Sequence, residues 1–201
     1  MKVVVVTGGI GSGKSEACRY LHAKYGCPIF EADSRVKELY QTHPSLLTDI
    51  ETAVGGRLRS EEGKFNPAML SSIIFNDTDA LHNVEALVFP VLMEDFQLWK
   101  KGCSDSRFGI LESATIMEKP QLSGLGDFTL LIDAPVDTRL SRAVCRDGVS
   151  EDKIRQRMAR QSLMNDISNT VVRPPVDMVI VNDGSVEELH EKLDILAESI
   201  V

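Results

Sequence analysis

Apolar residues in this chain occur in short runs, and longer stretches with helical spacing separate the runs. The runs are rich in valine, isoleucine and leucine and are bounded by turn residues, which is typical of buried strands in a parallel sheet. Parallel strands need crossover connections, and the helical stretches supply them. Five strands are predicted, at residues 3–6, 27–31, 107–112, 127–133 and 176–181. The pattern predicts an α/β protein of three layers, with helices on both faces of a five-stranded parallel sheet.

Helices are predicted from apolar spacing and from capping residues at their ends. Gly26 suits a C-cap, Asn66 before Pro67 suits an N-cap, and Ser185 opens a capping box with Glu188. The predicted helices cover residues 16–24, 34–40, 46–54, 67–75, 79–101 and 136–146, with two more after residues 150 and 185.

The segment from residue 34 to about 101 contains no convincing strand, and its longest helix is expected to be interrupted at Pro90. A helical segment of this size exceeds what a crossover needs, so we interpret it as a substrate-binding region. The chain has 201 residues, 43% of them hydrophobic and 26% charged. That length allows one sizeable core and is too short for two full α/β domains, so residues 1–201 are predicted to form a single domain.

A glycine-rich loop, Gly8-Gly9-Ile10-Gly11-Ser12-Gly13-Lys14-Ser15, follows the first strand and opens the first helix. This is the P-loop pattern, in which glycines let successive backbone N–H groups point into one anion-sized hollow. The helix N-terminus adds partial positive charge, Lys14 can reach the β- and γ-phosphates, and the Ser15 hydroxyl can hold Mg²⁺. The alternative, a tight glycine turn without a ligand, is disfavoured by the strand and helix on either side.

Asp33 comes just after the second strand, at the edge of the sheet where ligands bind in open α/β folds. As an N-cap of the following helix it needs no function. As a carboxylate facing the phosphates it could accept a hydroxyl proton and help to hold a metal ion. The two interpretations are compatible.

Arginines are concentrated late in the chain. Arg139, Arg142 and Arg146 are three and four residues apart, so they share one helical face, and Arg155, Arg157 and Arg160 follow in the next helix. One interpretation is a solvated face whose arginines pair with Asp137, Glu151 and Asp152. The other is a lid, at about residues 139–165, that closes arginines over a transferring phosphoryl group.

The net charge of −8 and the pI near 5.0 argue against a bulk attraction to nucleic acid or to an anionic membrane surface. The four cysteines lack the spacing of a zinc site or a disulfide framework, so reduced thiols are expected. Apolar runs are too short for a signal sequence or a membrane span. We therefore expect a cytoplasmic protein that meets anionic ligands through local basic clusters.

The reaction class follows by elimination and then by resemblance. The chain lacks the Asn-Lys-x-Asp motif of a GTPase and the clean Asp-Glu of a motor ATPase, which leaves a small P-loop kinase. From Val6 to Ser15 the chain resembles the dephospho-CoA kinase family. Glu31-Ala32-Asp33 stands where that family usually has Asp-Ala-Asp, so Glu31 departs from the pattern by one methylene while Asp33 matches. The resemblance continues nearly end to end, at Gly55, Gly63, residues 70–75, Glu118, Arg142, Arg146, Gln161, Asp177 and Asn182.

This resemblance implies a nucleoside-monophosphate-kinase-like fold and transfer of the ATP γ-phosphoryl group to the ribose 3′-hydroxyl of dephospho-CoA. ATP and Mg²⁺ are the implied cofactors, dephospho-CoA is the only implied partner, and a monomer or weak homo-oligomer is expected. The implied catalytic residues are Lys14, Asp33, Arg142 and Arg146, and the metal ligands are Ser15 and Asp33. The implied nucleotide-binding residues are Gly11, Ser12, Gly13, Lys14, Ser15 and Glu16.

Several positions depart from the family pattern and leave alternatives open. Phe89-Pro90 stands where the family commonly has His-Pro, Asn66-Pro67 where it has Asp-Arg, and the stretch 171–175 is unusual. These departures fall where substrate contacts are expected, more than nucleotide contacts. One alternative is a diverged P-loop kinase for another nucleoside, nucleotide or small alcohol. The other is a nucleotide-binding protein without catalysis.

Overall fold

The computed structural model describes residues 1–122, 124–161 and 176–200, apart from the side chain of Pro120. The chain divides into two compact units. The first, which we call the sheet unit, comprises Met1–Glu31 and Gly102–Val201. The second, the helical unit, is Ala32–Lys101.

Strands and helices alternate along the described residues. The strands are β1 (Lys2–Thr7), β2 (Ile29–Glu31), β3 (Phe108–Glu112), β4 (Phe128–Asp133) and β5 (Met178–Val181). The helices are α1 (Lys14–Tyr25), α2 (Ala32–Thr42), α3 (Leu46–Val54), α4 (Pro67–Asn76), α5 (Thr78–Gly102), α6 (Val136–Asp147), α7 (Glu151–Ala159) and α8 (Val186–Ile200). Short 3₁₀ turns at Ile116–Glu118 and Pro120–Leu122 follow β3. None of these helices is long and apolar enough to cross a membrane.

The five strands form one parallel sheet in the order β2-β3-β1-β4-β5. All five predicted strands are confirmed, with ends that agree to within two residues. Strand β1 lies at the centre, where Val4 pairs with Ile110 on one side and Phe128 on the other. After β1 the chain first builds β2 and β3 on one side of it and then crosses to build β4 and β5 on the other. The crevice beside such a switch point is where open α/β sheets bind ligands. The loop that leaves β1 is therefore at the expected edge of the sheet.

Burial on both faces of the sheet explains why the strands read as continuous apolar runs. Val3 to Val6 are all nearly inaccessible to solvent, although their side chains alternate between faces. Val4 and Val6 belong to a core with neighbours from β3 and β4, and helices α1 and α8 cover that core through Ala17, Leu21, Leu189 and Leu193. The predicted α/β sandwich, with helices flanking a five-stranded sheet, is confirmed.

The helical unit has its own core, built from one buried side of each of its helices and from the loop after α3. A bidentate ion pair ties α2 to α5, since Arg35 donates to the two carboxylate oxygens of Asp95 at 2.8 and 2.5 Å. Arg59 pairs with Glu51 in the same unit. The buried apolar residues of this core are Leu46, Leu47, Ile50, Leu58, Leu70, Val84 and Val88.

Three of the predicted caps are confirmed. Gly26 adopts a left-handed conformation (φ 65°) and its N–H bonds to the carbonyl oxygen of His22. Asn66 Oδ1 accepts from the N–H of Ala68 at 3.1 Å, and Ser185 Oγ accepts from the N–H of Glu188 at 3.2 Å. Local chemistry is enough to place these helix ends.

Two local predictions were wrong. Helix α5 runs without interruption through Pro90, because the proline sits on the exposed side while an apolar stripe at every fourth position stays buried. Asp33 is not an N-cap, because α2 begins at Ala32, directly after β2. Asp33 instead lies in the first helical turn, where a carboxylate interacts favourably with the helix dipole.

Replacing Pro90 with alanine should stabilise the protein by about 1–2 kcal/mol, because alanine restores a backbone donor and is far more favourable than proline inside a helix. The measurement is thermal or urea denaturation followed by circular dichroism. Glu94→Ala, an exposed change on the same helix, is the control and should stay within about 0.5 kcal/mol of the parent. A Pro90→Ala protein less stable than the parent would contradict the prediction.

Candidate active site

The loop between β1 and α1 is built around close approaches that only glycine permits. Gly13 has φ 105°, and a Cβ atom there would overlap the side-chain amide of Asn182. At Gly9 a Cβ would overlap the guanidinium of Arg139. The glycines therefore bring the loop backbone against side chains from α6 and from the end of β5, which explains why this stretch excludes larger residues.

The carbonyl oxygens of the loop are held by donors from the protein. Lys14 Nζ donates to the carbonyl oxygen of Gly8 at 2.7 Å, and the N–H of Ser12 donates to that of Gly9 at 3.1 Å. Arg139 Nε donates to the carbonyl oxygen of Ile10 at 3.1 Å. A carbonyl that bonds to the protein does not face a bound anion, so the loop is prepared for phosphate in the way a backbone nest requires.

A glutamine fixes the same loop from another direction. Gln161, two residues past the end of α7, is 5% exposed, and its Oε1 accepts from the N–H of Ile10 at 2.8 Å. Both backbone polar groups of Ile10 are thus bonded to side chains that follow β4 in sequence. Satisfying both groups restrains this peptide against rotation.

Asn182 connects three parts of the site. It is buried, with 6% exposure, immediately after β5, and its N–H donates to the carbonyl oxygen of Asp133 at 2.7 Å. Its side-chain Nδ2 donates to the carbonyl oxygen of Ser12 at 2.8 Å. Its backbone carbonyl oxygen accepts from Arg142 Nη1 at 3.0 Å. The sequence suggested only a family likeness at this residue. Its position directly after a strand, at the ligand-binding edge, was the available signal.

The three arginines of α6 have different environments. Arg139 is fully buried against the loop, Arg142 bonds to Asn182, and Arg146 is 62% exposed and pairs with Asp147 at 2.7 Å. We expected the three arginines to share one environment, either facing solvent or belonging to a lid. Arg139 does not fit that expectation, because it is buried. The helical spacing was right, but spacing alone does not tell which residue of a face meets the loop.

The first turn of α1 carries the remaining residues expected at the nucleotide. Lys14 is buried beneath the loop, and Ser15 is exposed. Glu16 is partly exposed, and its carboxylate pairs with Arg19 and with Nε2 of His190, at 3.1 Å for the latter. Glu16 is thus engaged with α8, and nothing in this geometry directs it to the loop hollow.

Cys18, one turn further along α1, is the thiol that follows the loop most closely. Burial raises its pKa well above the usual range, and the carboxylate of Glu112 raises it further, while Lys14 acts in the opposite direction. The thiol therefore stays protonated at neutral pH and behaves as a small core residue.

In the helical unit, Asp33 is exposed in the first turn of α2. The same unit contains a cavity of about 530 Å³ at the other end of α2, a size within the range of small-molecule sites. Its lining combines aromatic rings with cations, including Tyr40, His43, Arg59, Lys64 and Phe65. No group of three or more His, Cys, Asp or Glu side chains suited to a metal ion occurs among the described residues of the chain.

The parallel sheet, the switch point beside β1 and the preformed loop with its buried lysine define a P-loop kinase, a class that uses ATP as co-substrate. The family model for dephospho-CoA kinase matches residues 2–188. The chain belongs to the dephospho-CoA kinase family, as its sequence resemblance indicated.

Individual relatives agree with this assignment. The dephospho-CoA kinase of Porphyromonas gingivalis is 32% identical over 90% of each chain. That of Acinetobacter baylyi is 31% identical over 99% of this chain and 98% of its own.

Among solved structures, a Thermus thermophilus protein has a TM-score of 0.80 at 24% identity, over 100% of this chain and 98% of its own. Dephospho-CoA kinase from Campylobacter jejuni has a TM-score of 0.61 at 19% identity, over 99% of this chain and 97% of its own. At these identities the structures establish the common fold.

Asn182→Asp should weaken ATP binding about tenfold or more, because the carboxylate cannot donate to the carbonyl oxygen of Ser12 and leaves a buried charge beside it. Isothermal titration with ATP, together with a thermal melt, measures the effect. Asp183→Asn makes the reverse exchange, from carboxylate to amide, at the exposed neighbouring residue and should leave the melting temperature nearly unchanged. ATP affinity at the parent level in Asn182→Asp would contradict the inferred role of this amide.

Proposed function

We propose that this chain transfers the γ-phosphoryl group of ATP to the ribose 3′-hydroxyl of dephospho-CoA, giving CoA and ADP. The observation that carries the proposal is the preformed loop, with its carbonyls bonded to the protein and Lys14 buried beneath it, in a chain of this family. The bond between the γ-phosphorus and the bridging oxygen breaks, the bond to the 3′-oxygen forms, and ADP leaves with the bridging oxygen.

The nucleotide is held by the sheet unit in this proposal. Backbone N–H groups of Gly11, Gly13, Lys14 and Ser15, at the N-terminus of α1, bind the phosphates, while that of Ser12 stays bonded to the carbonyl oxygen of Gly9. Lys14 keeps its bond to the carbonyl oxygen of Gly8 and directs its other N–H groups to the β- and γ-phosphates, whose charge it neutralises. A lysine ammonium has three donors on a flexible stem, so the lysine can serve the loop and the phosphates together.

Magnesium fits the donor set of the chain. Mg²⁺ usually keeps several waters and takes only one or two protein ligands beside the substrate phosphates. The exposed hydroxyl of Ser15 and the carboxylate of Asp33 are hard oxygen donors that suit this ion. When bound, the ion would neutralise charge on the transferring phosphate.

The acceptor is assigned to the helical region, about residues 34–101, with Asp33 at its start. Asp33 orients the 3′-hydroxyl and accepts its proton as the phosphoryl group is transferred. The cavity at the far end of α2 begins about 10 Å along the helix from Asp33. Its aromatic and cationic lining suits the remainder of a long anionic acceptor such as dephospho-CoA.

Arg142 and Arg146 are proposed to stabilise the transferring phosphoryl group from a lid at about residues 139–165, of which 162–165 lie outside the described residues. Arg142 already lies near the loop through Asn182. Arg146 would release Asp147 for the phosphate, and since Asp147 also pairs with Arg157 at 2.9 Å, its charge stays compensated. An arginine binds phosphate more strongly than a lysine would, because its guanidinium donates two parallel hydrogen bonds to the phosphate oxygens.

The function predicts ADP release when purified protein is given ATP, Mg²⁺ and dephospho-CoA. Nucleosides and nucleoside monophosphates offered separately should give little turnover, because they lack the part of dephospho-CoA that the cavity in the helical unit is proposed to hold. Lys14→Ala should remove most of the activity, which excludes a contaminating kinase as its source. Turnover with another acceptor but not with dephospho-CoA would reassign the substrate. ATP binding without turnover on any acceptor would instead indicate a non-catalytic protein.

Asp33→Asn should lower kcat about 100-fold or more, as expected for loss of a general base, with ATP affinity nearly unchanged. Steady-state kinetics and ATP titration measure the two effects separately. Asp105→Asn makes the same chemical change in an exposed loop before β3 and should leave kcat unaltered. Unchanged turnover in Asp33→Asn would refute the assignment of the base.

A further inference from the structure

Arg139 is the largest fully buried side chain among the described residues, with no solvent exposure. It projects from α6 against the phosphate loop, where Nε donates to the carbonyl oxygen of Ile10 at 3.1 Å. The guanidinium occupies the space that a side chain at residue 9 would need. Its Nη2 is buried and has no hydrogen-bond partner among the described residues. A buried cation thus lies against the backbone of Gly9 and Ile10, in the loop expected to bind phosphate.

The charge of this guanidinium is poorly compensated in the free protein. Burial lowers the pKa of Arg139, and the negative charge of Asp133, at the end of β4, opposes that effect. Arginine remains protonated all the same, because even a lowered guanidinium pKa stays far above neutrality. An isolated buried charge is costly, and the protein lowers that cost when an opposite charge arrives nearby.

Two effects at this position favour a bound anion. The hydrogen bond to Ile10 keeps that carbonyl oxygen turned from the loop hollow. The charge lies against the backbone of Gly9 and Ile10 in a buried position, where the effective dielectric constant is far below that of water. In a chain with a net charge of −8, a cation buried at this point keeps the local potential favourable to phosphate.

We propose that Arg139 is a positioning residue that orients the Ile10 peptide and supplies a buried positive charge behind the phosphate loop, and so selects for the phosphate groups of the nucleotide. This inference rests on the proposed function, in which the loop binds ATP. Arg139 does not touch the phosphates; it acts through the loop. Its role differs from that of Arg142 and Arg146, which are proposed to meet the phosphoryl group directly.

The test compares Arg139→Gln, Arg139→Lys and Arg107→Gln. Glutamine removes the charge but keeps a polar donor, and lysine keeps the charge. Arg107 is exposed just before β3, so Arg107→Gln gives the same change of net charge far from the carboxyl ends of the strands. Dissociation constants for ATP, ADP and adenosine are measured by calorimetry, and the melting temperature of each unliganded variant controls for folding.

Arg139→Gln should weaken ATP and ADP binding about tenfold, as expected for losing a nearby buried charge and its hydrogen bond, and should leave adenosine binding within about twofold. Arg139→Lys should bind ATP within about threefold of the parent, and Arg107→Gln should bind it equally well. An unliganded Arg139→Gln protein as stable as the parent, or more stable, would agree with relief of an uncompensated charge.

Equal losses for ATP and adenosine in Arg139→Gln would overturn the proposal in favour of a general structural role, and so would unchanged ATP affinity. If Arg139→Gln does not fold, Arg139→Lys decides through the same comparison, because a loss of affinity that ATP and adenosine share in that folded variant contradicts a selective role at the phosphates. Failure of the parent protein to bind ATP would refute the proposed function itself, which separates the two conclusions.

Discussion

The phosphate loop depends on one constraint, which is that the carbonyl oxygens of Gly8, Gly9, Ile10 and Ser12 are bonded to the protein. A carbonyl turned into the hollow would repel a phosphate, so each must find a donor elsewhere. In this chain the donors are Lys14, the backbone of Ser12, Arg139 and Asn182, and they come from the loop itself, from α6 and from the end of β5. The geometry of a few peptides thus fixes where three separate elements must meet.

The sheet order makes that meeting possible. Because β1 lies at the centre and β4 and β5 follow on one side, the ends of these strands present Asp133 and Asn182 beside the loop. Only two residues separate the end of β4 from the start of helix α6, so the first turn of α6 is within reach of the same backbone. Glycine is then required at residue 9 and residue 13 by the side chains that approach there, and not only by the conformation of a turn. Long-range topology and local composition therefore depend on each other.

Much of this arrangement was predictable from the sequence. The strands, three caps and the loop follow from short-range signals, since apolar runs and capping residues act over a few positions. Pro90 was misjudged because the buried stripe of α5, which stabilises the helix past the proline, is a tertiary effect. Asp33 was misplaced because β2 passes into α2 without a connecting loop. Asn182 and Arg139 carry no motif of their own, and their contacts span 170 and 129 residues, beyond any periodicity argument.

The arginines of α6 show how an acidic protein can be suited to an anionic ligand. Net charge governs the electrostatic field far from the protein, where salt screens it. A phosphate in the loop instead experiences nearby charges, and the low dielectric constant of the protein around them makes their effect strong. Arg139, Arg142 and Arg146 pass from full burial to high exposure along one helix. The same helical spacing therefore supplies a charge fixed against the loop at one end and a solvent-exposed ion pair at the other. This gradient of burial, and not the number of arginines, distinguishes the environments of the three side chains.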